Sequence, residues 1–238
     1  MVKILAALCW LILACIPNAS QAGSLEVSPT LLQFVQGQSH RSIRITNRGK
    51  SPIIVQVRAF RWEQETDSDQ LLAASDMVIS PPIFTLQPGT TQTLRVMRRN
   101  TTHGQEAQSF RLLVDDITPP PTGHVGAHMA IRLSLPVFSG GGGSALAKLR
   151  WGVESGPAGA TLLSVTNDGT AYENIRQLEV EYADGDKASA MPVASNTYIL
   201  PGATRHWVVS RPHQPARAPT LVIATTSAGV VSRVAVQP

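Results

Sequence analysis

Short runs rich in apolar and β-branched residues recur along the chain after residue 24, and several of them alternate apolar with polar positions as β-strands do. The strand-like runs within residues 25–138 are separated by turns rich in Asn, Gly and Pro. None of these runs shows the 3.6-residue repeat of an amphipathic helix. Short strands at this spacing predict a β-sandwich of the immunoglobulin type. The same rhythm returns in residues 145–238, which predicts a second sandwich.

The longest alternation lies in residues 125–137, where every even position lacks a large hydrophobic side chain. The odd positions are apolar throughout: Val125, Ala127, Met129, Ile131, Leu133, Leu135 and Val137. Side chains two residues apart on a strand share one face, so the pattern predicts a long strand with a single apolar face. Alternation alone leaves open whether that face fills the core of this protein or the core of another.

A run of four glycines divides the chain into two parts. The sequence "SGGGGS" at residues 139–144 predicts a flexible linker between the sandwiches. We therefore expect an all-β chain with one domain at residues 23–138 and a second at residues 145–238, arranged as an L or a boomerang. The two halves show no obvious sequence repeat.

The N-terminal segment has the features of a secretory signal. An apolar run follows Lys3 and is shorter than the ~20 residues that a membrane helix needs. Small residues precede Gly23, which predicts that residues 1–22 are a cleaved signal peptide; a lipoprotein signal using Cys15 is the alternative. Cys9 and Cys15 are the two cysteines of the chain, so the exported form would contain neither disulfides nor thiolate sites.

Charge and motifs exclude most enzymatic and nucleic-acid functions. The formal net charge is only +4, and the densest basic group, Arg95, Arg98 and Arg99, has no aromatic side chain beside it for base stacking. His124 and His128 lie on the predicted strand about 13 Å apart, too far to share one metal ion. We find no catalytic motif, and we expect no cofactor and no metal.

Several fragments occur in the order and spacing of one known family. They include "VISPPIFTLQPGTTQTLRV", "SFRLLVDDITPPP" and "MAIRLSLPVF". Together they resemble the periplasmic pilus chaperones of chaperone–usher systems, the PapD- and FimC-like proteins. The resemblance covers the first predicted sandwich well and the second loosely. The "LPVF" ending is similar to the archaic branch, which is associated with spore-coat-U-like secreted subunits.

This resemblance implies a chaperone that lends a β-strand to an incomplete pilus subunit and delivers the subunit to an outer-membrane usher. It further implies a periplasmic location, no nucleic-acid partner and no insertion in the membrane after signal cleavage. The lent edge strand could also pair with a second copy of the chain, so self-association is possible. The implied donor residues are Val125, Ala127, Met129, Ile131, Leu133 and Leu135.

The family's best-studied branch holds the client's C-terminal carboxylate with an Arg in the first strand and a Lys in the last strand. The corresponding positions here are near Leu31 and near Ser134 or Leu135, and none of them is basic. Guanidinium groups bind carboxylates bidentately, so Arg95 and Arg132 are the candidate anchors.

Two other functions are consistent with the same strand pattern. One is an extracellular structural or adhesive protein built from immunoglobulin-like domains. The other is an exported hydrolase on a β-sandwich, for which the sequence offers no nucleophile or metal set. Localisation of the mature protein separates the adhesive protein from the chaperone, and reproducible turnover would indicate the hydrolase.

Overall fold

The structure is a computed structural model. It describes residues 25–35, 37–99, 107–120, 123, 129–140, 145–156, 161–192, 196–209, 219–227, 229 and 231–235. Several sequence predictions lie outside these residues: the signal peptide 1–22, linker residues 141–144, His124, Val125, Ala127 and His128. All regular secondary structure in the described part of the chain is β. No helix there is long and apolar enough to cross a membrane.

Ten strands form the described part of the first domain. They are β1 (Leu25–Ser28), β2 (Leu32–Phe34), β3 (His40–Asn47), β4 (Ile53–Glu65), β5 (Ser68–Ala73), β6 (Met77–Ser80), β7 (Ile83–Leu86), β8 (Thr91–Arg98), β9 (Gln108–Asp116) and β10 (Arg132–Ser139). One sheet has the order β1-β3-β8-β6. The other has the order β2-β10-β9-β4-β5, with β7 paired to β4. The chain therefore changes sheets between β1 and β2.

The core of the first domain lies between these two sheets. Ile43 and Leu94 come from the first sheet and are fully buried, and Val55 and Leu112 meet them from the second. These residues occupy alternate positions of their strands, so burial of the apolar face explains the period of two in the sequence.

Eight strands are present among the described residues of the second domain. They are β11 (Leu149–Ser155), β12 (Thr161–Asn167), β13 (Glu173–Glu181), β14 (Lys187–Pro192), β15 (Tyr198–Ile199), β16 (Thr204–Val209), β17 (Leu221–Thr226) and β18 (Val231–Ala235). Their order is β11-β12-β16-β14-β13-β17-β18, and β15 pairs with β13. Leu163, Val165, Val180 and Val222 are fully buried between them. The prediction of two all-β, immunoglobulin-like sandwiches is confirmed, while their exact boundaries stay a prediction.

The same asparagine-centred turn occurs in both domains. Asn47 Nδ2 donates to the carbonyl oxygens of Ser51 and Leu86, at 2.8 and 3.1 Å. Asn167 Nδ2 donates in the same way to Ala171 and Ile199, at 2.7 and 3.0 Å. A structural repeat therefore exists where the sequence showed no obvious one.

Candidate functional site

Strand β10 has one edge that is only partly covered. On one side it pairs with β9 along its whole length, from Arg132 to Ser139. On the other side β2 runs parallel to it and pairs only with Val137–Ser139. Among the described strands, none covers the edge of β10 from Arg132 to Pro136.

The register shows which backbone groups face this open edge. The N–H of Asp116 donates to the carbonyl oxygen of Ile131 at 2.9 Å, so the odd residues of β10 direct their backbone groups toward β9. Arg132 and Ser134 therefore direct their N–H and C=O groups toward the open edge. Pro136 has no N–H, and it stands where the open edge meets β2. The open edge of β10 can accept a further strand, and its backbone N–H donors end before Pro136.

The apolar face of β10 changes from exposed to buried along the strand. Met129, just before the strand, is 84% exposed, Ile131 and Leu133 are partly buried, and Leu135 is only 6% exposed. Leu135 and the neighbouring Val137 belong to the core of the first domain, and Leu133 packs against that core. The strand therefore completes its own sandwich at one end and presents apolar side chains at the other.

An ion-pair cluster lies on the outer face of the same sheet. The Asp115 carboxylate accepts hydrogen bonds from Arg132 Nε at 2.5 Å and from Arg58 Nη2 at 2.7 Å. Burial would raise the pKa of Asp115, but the two arginines outweigh it and hold that pKa below its usual value. A shallow cleft of about 360 Å³, lined also by Gln56 and Ile131, opens beside the cluster. Two cations share the Asp115 carboxylate here, and the Asp116 carboxylate, which also lines the cleft, accepts hydrogen bonds from Thr118.

The two candidate anchors lie on different sheets. Arg132 is on β10 beside the open edge. Arg95 is exposed on β8, in the other sheet, between Ser42 and Ser80 on the adjacent strands. The structure thus brings Arg132 together with Arg58, which the sequence analysis did not single out because nothing local to Arg58 indicates its contact with Asp115.

An aromatic cluster joins the far end of β10 to the second domain. Trp62 and Phe138, both from the first domain, are buried with the core residues of the second. The ring of Trp62 contacts Tyr198 edge-on, at a centroid distance of 5.7 Å. The guanidinium carbon of Arg111 lies 3.6 Å above the Trp62 ring, and burial lowers the pKa of Arg111. The two domains therefore share a packed junction.

Polar contacts from the β4–β5 hairpin complete this junction. Asp67, at the tip of the hairpin, accepts hydrogen bonds from the backbone N–H of His206 at 2.7 Å and lies 2.5 Å from its Nδ1. Asp69 pairs with the buried Arg205. Gln64 donates to the carbonyl oxygen of Tyr198 at 3.1 Å. Because these contacts are side-chain specific, they fix how the hairpin meets the second domain.

Within the described residues, no group of three or more His, Cys, Asp or Glu side chains could hold a metal ion. The features that remain are a strand edge, an apolar strand face and a basic cluster. These are features of a surface that binds another protein chain.

Residues 24–140 match the family described as pili and flagellar-assembly chaperone, PapD N-terminal domain. The chain belongs to this chaperone family. The resemblance seen in the sequence, to the pilus chaperones of chaperone–usher systems, is thereby confirmed. Pilus assembly chaperones of this family are periplasmic.

Known proteins similar to this chaperone match over most of its length. It is 27% identical over 219 residues to the chaperone protein FimB/FhaD of Bordetella pertussis, covering 83% of this chain and 87% of that protein. Its fold is similar to the CsuC–CsuE chaperone–tip subunit complex of Acinetobacter baumannii, with a TM-score of 0.67 and 21% identity over 90% of this chain and 98% of that one. The Salmonella enterica SafB chaperone in complex with the SafA pilin gives a TM-score of 0.63 and 17% identity, covering 91% and 98% of the two chains.

Proposed function

We propose that this chaperone binds secreted pilus subunits by adding the open edge of β10 to an incomplete subunit sandwich, and then delivers them to an outer-membrane usher. The observation that carries the proposal is the uncovered edge from Arg132 to Pro136, next to an apolar face that its own core only partly uses. CsuC and SafB, two chaperones of similar fold, are complexed with pilus subunits. The "LPVF" ending at residues 135–138 supports the archaic branch and spore-coat-U-like clients.

The backbone and the side chains of β10 have separate tasks in this mechanism. The N–H and C=O groups of Arg132 and Ser134 pair with the client's backbone, which tolerates many client sequences. Met129, Ile131 and Leu133 enter the client's groove. Burying three such side chains contributes about 5–9 kcal/mol before the ordering of both partners is subtracted. Leu135 continues this face into the chaperone's own core, so it links the two sandwiches; Val125 and Ala127 extend the face in the other direction.

The client's C-terminal carboxylate has a binding site in the cluster around Asp115. Arg132 and Arg58 both pair with Asp115 beside the cleft, and both guanidinium groups reach solvent, where they can bind a further carboxylate. A guanidinium binds a carboxylate through two parallel hydrogen bonds. We therefore assign the anchor to Arg132, assisted by Arg58, in preference to Arg95 on the other sheet.

The chaperone carries out no reaction and works in the periplasm after export by the signal peptide at residues 1–22. The family match favours a binding protein over the hydrolase, and binding through backbone groups needs neither nucleophile nor cofactor. Recovery of the mature protein in the periplasmic fraction would support this location. Recovery on the cell surface would favour the structural or adhesive protein instead.

The decisive experiment is periplasmic co-expression with the pilus subunits encoded beside this chain, followed by purification through a tag on the chaperone. We expect wild-type chaperone to retain a subunit, and Ile131→Glu and Leu133→Glu to lose it while remaining folded. Leu72→Glu is the matched control, because Leu72 is 46% exposed on β5 at the opposite edge of the same sheet. Retention of the subunit by both β10 variants would show that β10 is not the donor strand.

A further inference from the structure

The two ends of β10 are held very differently. No described strand covers the edge of its N-terminal end, and Met129 before it is 84% exposed. Its C-terminal end is covered by β2, and Arg98 donates a hydrogen bond to the Ser139 hydroxyl. Phe138, at the same end, is 4% exposed and lies among core residues of the second domain.

The side chain of Phe138 points away from the core of its own domain because of its position in the strand. The odd residues of β10 face the core of the first domain, so the even residue Phe138 points to the outer face of the sheet. There its ring stacks on Tyr172 of the second domain, with centroids 3.4 Å apart and planes 10° from parallel. The ring of Tyr198 approaches at 5.7 Å. The donor strand thus ends in an aromatic contact with the other domain.

Tyr172 is itself fixed by the turn that precedes it. Asn167 Nδ2 donates to the carbonyl oxygen of Ala171 at 2.7 Å. The N–H of Thr170 donates to the carbonyl oxygen of Leu146 at 2.9 Å. The backbone on which Tyr172 sits is therefore tied to the body of the second domain.

The ring contact lies next to the glycine run in the sequence. Ser139 ends β10 and is buried, and residues 140–143 are four consecutive glycines. The contact of Phe138 with Tyr172 therefore ties the end of β10 directly to the second domain.

We propose that Phe138 and Tyr172 are positioning residues for client capture: they tie the closed end of β10 to the second domain and so hold its open edge in a fixed register. The second domain then contributes to capture without touching the client through these residues. This inference rests on the proposed donor role of β10.

The first test needs no client. Hydrogen exchange of the free chaperone is measured for wild type, Tyr172→Ala and Tyr172→Phe. We expect Tyr172→Ala to accelerate exchange of the amides of Leu133, Leu135 and Val137, which face β9, and to leave the amides of β3 and β8 unchanged. Tyr172→Phe keeps the ring and should behave as wild type. Unchanged exchange in β10 of Tyr172→Ala would overturn the inference.

Val222→Ala is the control for general loss of stability. It truncates a fully buried side chain of the same domain, and Val222 is not part of the ring cluster around Phe138. Exchange of the β10 amides should stay as in wild type. Equal acceleration by Val222→Ala and Tyr172→Ala would show that a weakened second domain, and not the ring contact, is responsible, and would overturn the inference.

The second test measures affinity for the pilus subunit that co-purifies with the wild-type chaperone. We expect Tyr172→Ala to weaken binding about tenfold, the order that loss of a stacked aromatic pair produces, and Tyr172→Phe to bind as wild type. If Ile131→Glu abolishes binding and Tyr172→Ala binds as wild type, the positioning role is wrong and the donor role stands. If Ile131→Glu and Leu133→Glu both bind as wild type, the donor role itself is wrong, and the positioning role falls with it.

Discussion

Asn47 and Asn167 make equivalent hydrogen bonds in two domains that share little sequence. Each amide nitrogen donates to a carbonyl four residues ahead and to a carbonyl of a distant segment. Each side-chain oxygen accepts the N–H of the glycine two residues on, Gly49 or Gly169, at 2.8 and 3.0 Å. Both side chains are fully buried, so each supplies hydrogen bonds to backbone groups at a corner of its sandwich.

Removing either asparagine should destabilise the domain that contains it. Asn47→Ala and Asn167→Ala each leave buried backbone groups without a partner, and we expect a loss of about 2–4 kcal/mol in the free energy of unfolding. Urea unfolding followed by domain-resolved hydrogen exchange measures this. Each variant is the control for the other: Asn47→Ala should spare the protection of β12 and β13, and Asn167→Ala should spare β3 and β8. Equal loss of protection in both domains would show that the two asparagines do not stabilise their domains independently.

Truncations along β10 should have graded effects on stability. Leu135→Ala removes a core side chain and should lower the free energy of unfolding by about 2–5 kcal/mol. Met129→Ala removes an exposed side chain and should change it by less than about 0.5 kcal/mol. Chemical denaturation of the free chaperone checks both values. A large effect of Met129→Ala would mean that the first domain itself uses this end of the apolar face.

The Asp115 cluster should make the free energy of unfolding of the chaperone sensitive to acid. Because the pKa of Asp115 is lowered in the folded protein, its ion pairs stabilise the fold fully above the usual carboxyl pKa of 3.8. This stabilisation is lost as the pH falls below about 4 and the carboxylate is protonated. The difference in unfolding free energy between wild type and Asp115→Asn should be constant from pH 7 to pH 5 and shrink below that range. A difference that stays constant down to pH 3 would rule out this role of the carboxylate.

The hairpin contact with His206 should control how tightly the domains are coupled. Asp67→Ala removes the acceptor for both the backbone N–H and the Nδ1 of His206. We expect the two domains then to tumble more independently, which NMR relaxation of each domain measures. Asp67→Asn keeps one side-chain oxygen and should lie between wild type and Asp67→Ala. Identical tumbling in all three proteins would show that the remaining contacts of the junction couple the domains without Asp67.

Periodicity was a good guide to the sandwiches because burial of one strand face produces it directly. The alternation at residues 125–137 predicted an apolar face, and the structure places Leu135 and Val137 of that face in the core. Periodicity could not predict how far the face is buried, because that burial depends on packing against the core of the first domain. Nor could it predict that β2 covers the edge of β10 only at its last three residues. For a similar reason, the sequence could not show that Arg95 and Arg132 lie on different sheets, since it does not reveal which sheet a strand joins.

The junction between the domains was missed for a related reason. Trp62 and Phe138 lie on strands of the first domain, and nothing in their neighbourhood in the sequence indicates that the second domain covers them. The repeated corner did carry a signal, because "TNRG" at 46–49 and "TNDG" at 166–169 share Thr, Asn and Gly. Four residues are too few to suggest a repeat until the hydrogen bonds are compared.

The contacts of Asp67 and Trp62 across the junction have a consequence for the integrity of the molecule. A protease that cut the glycine-rich connection would leave two fragments, and each would still carry its half of a matched surface. Those fragments should remain associated and migrate together under native conditions. The glycine run would then keep the two domains covalently joined, while the side-chain contacts specify how they are arranged.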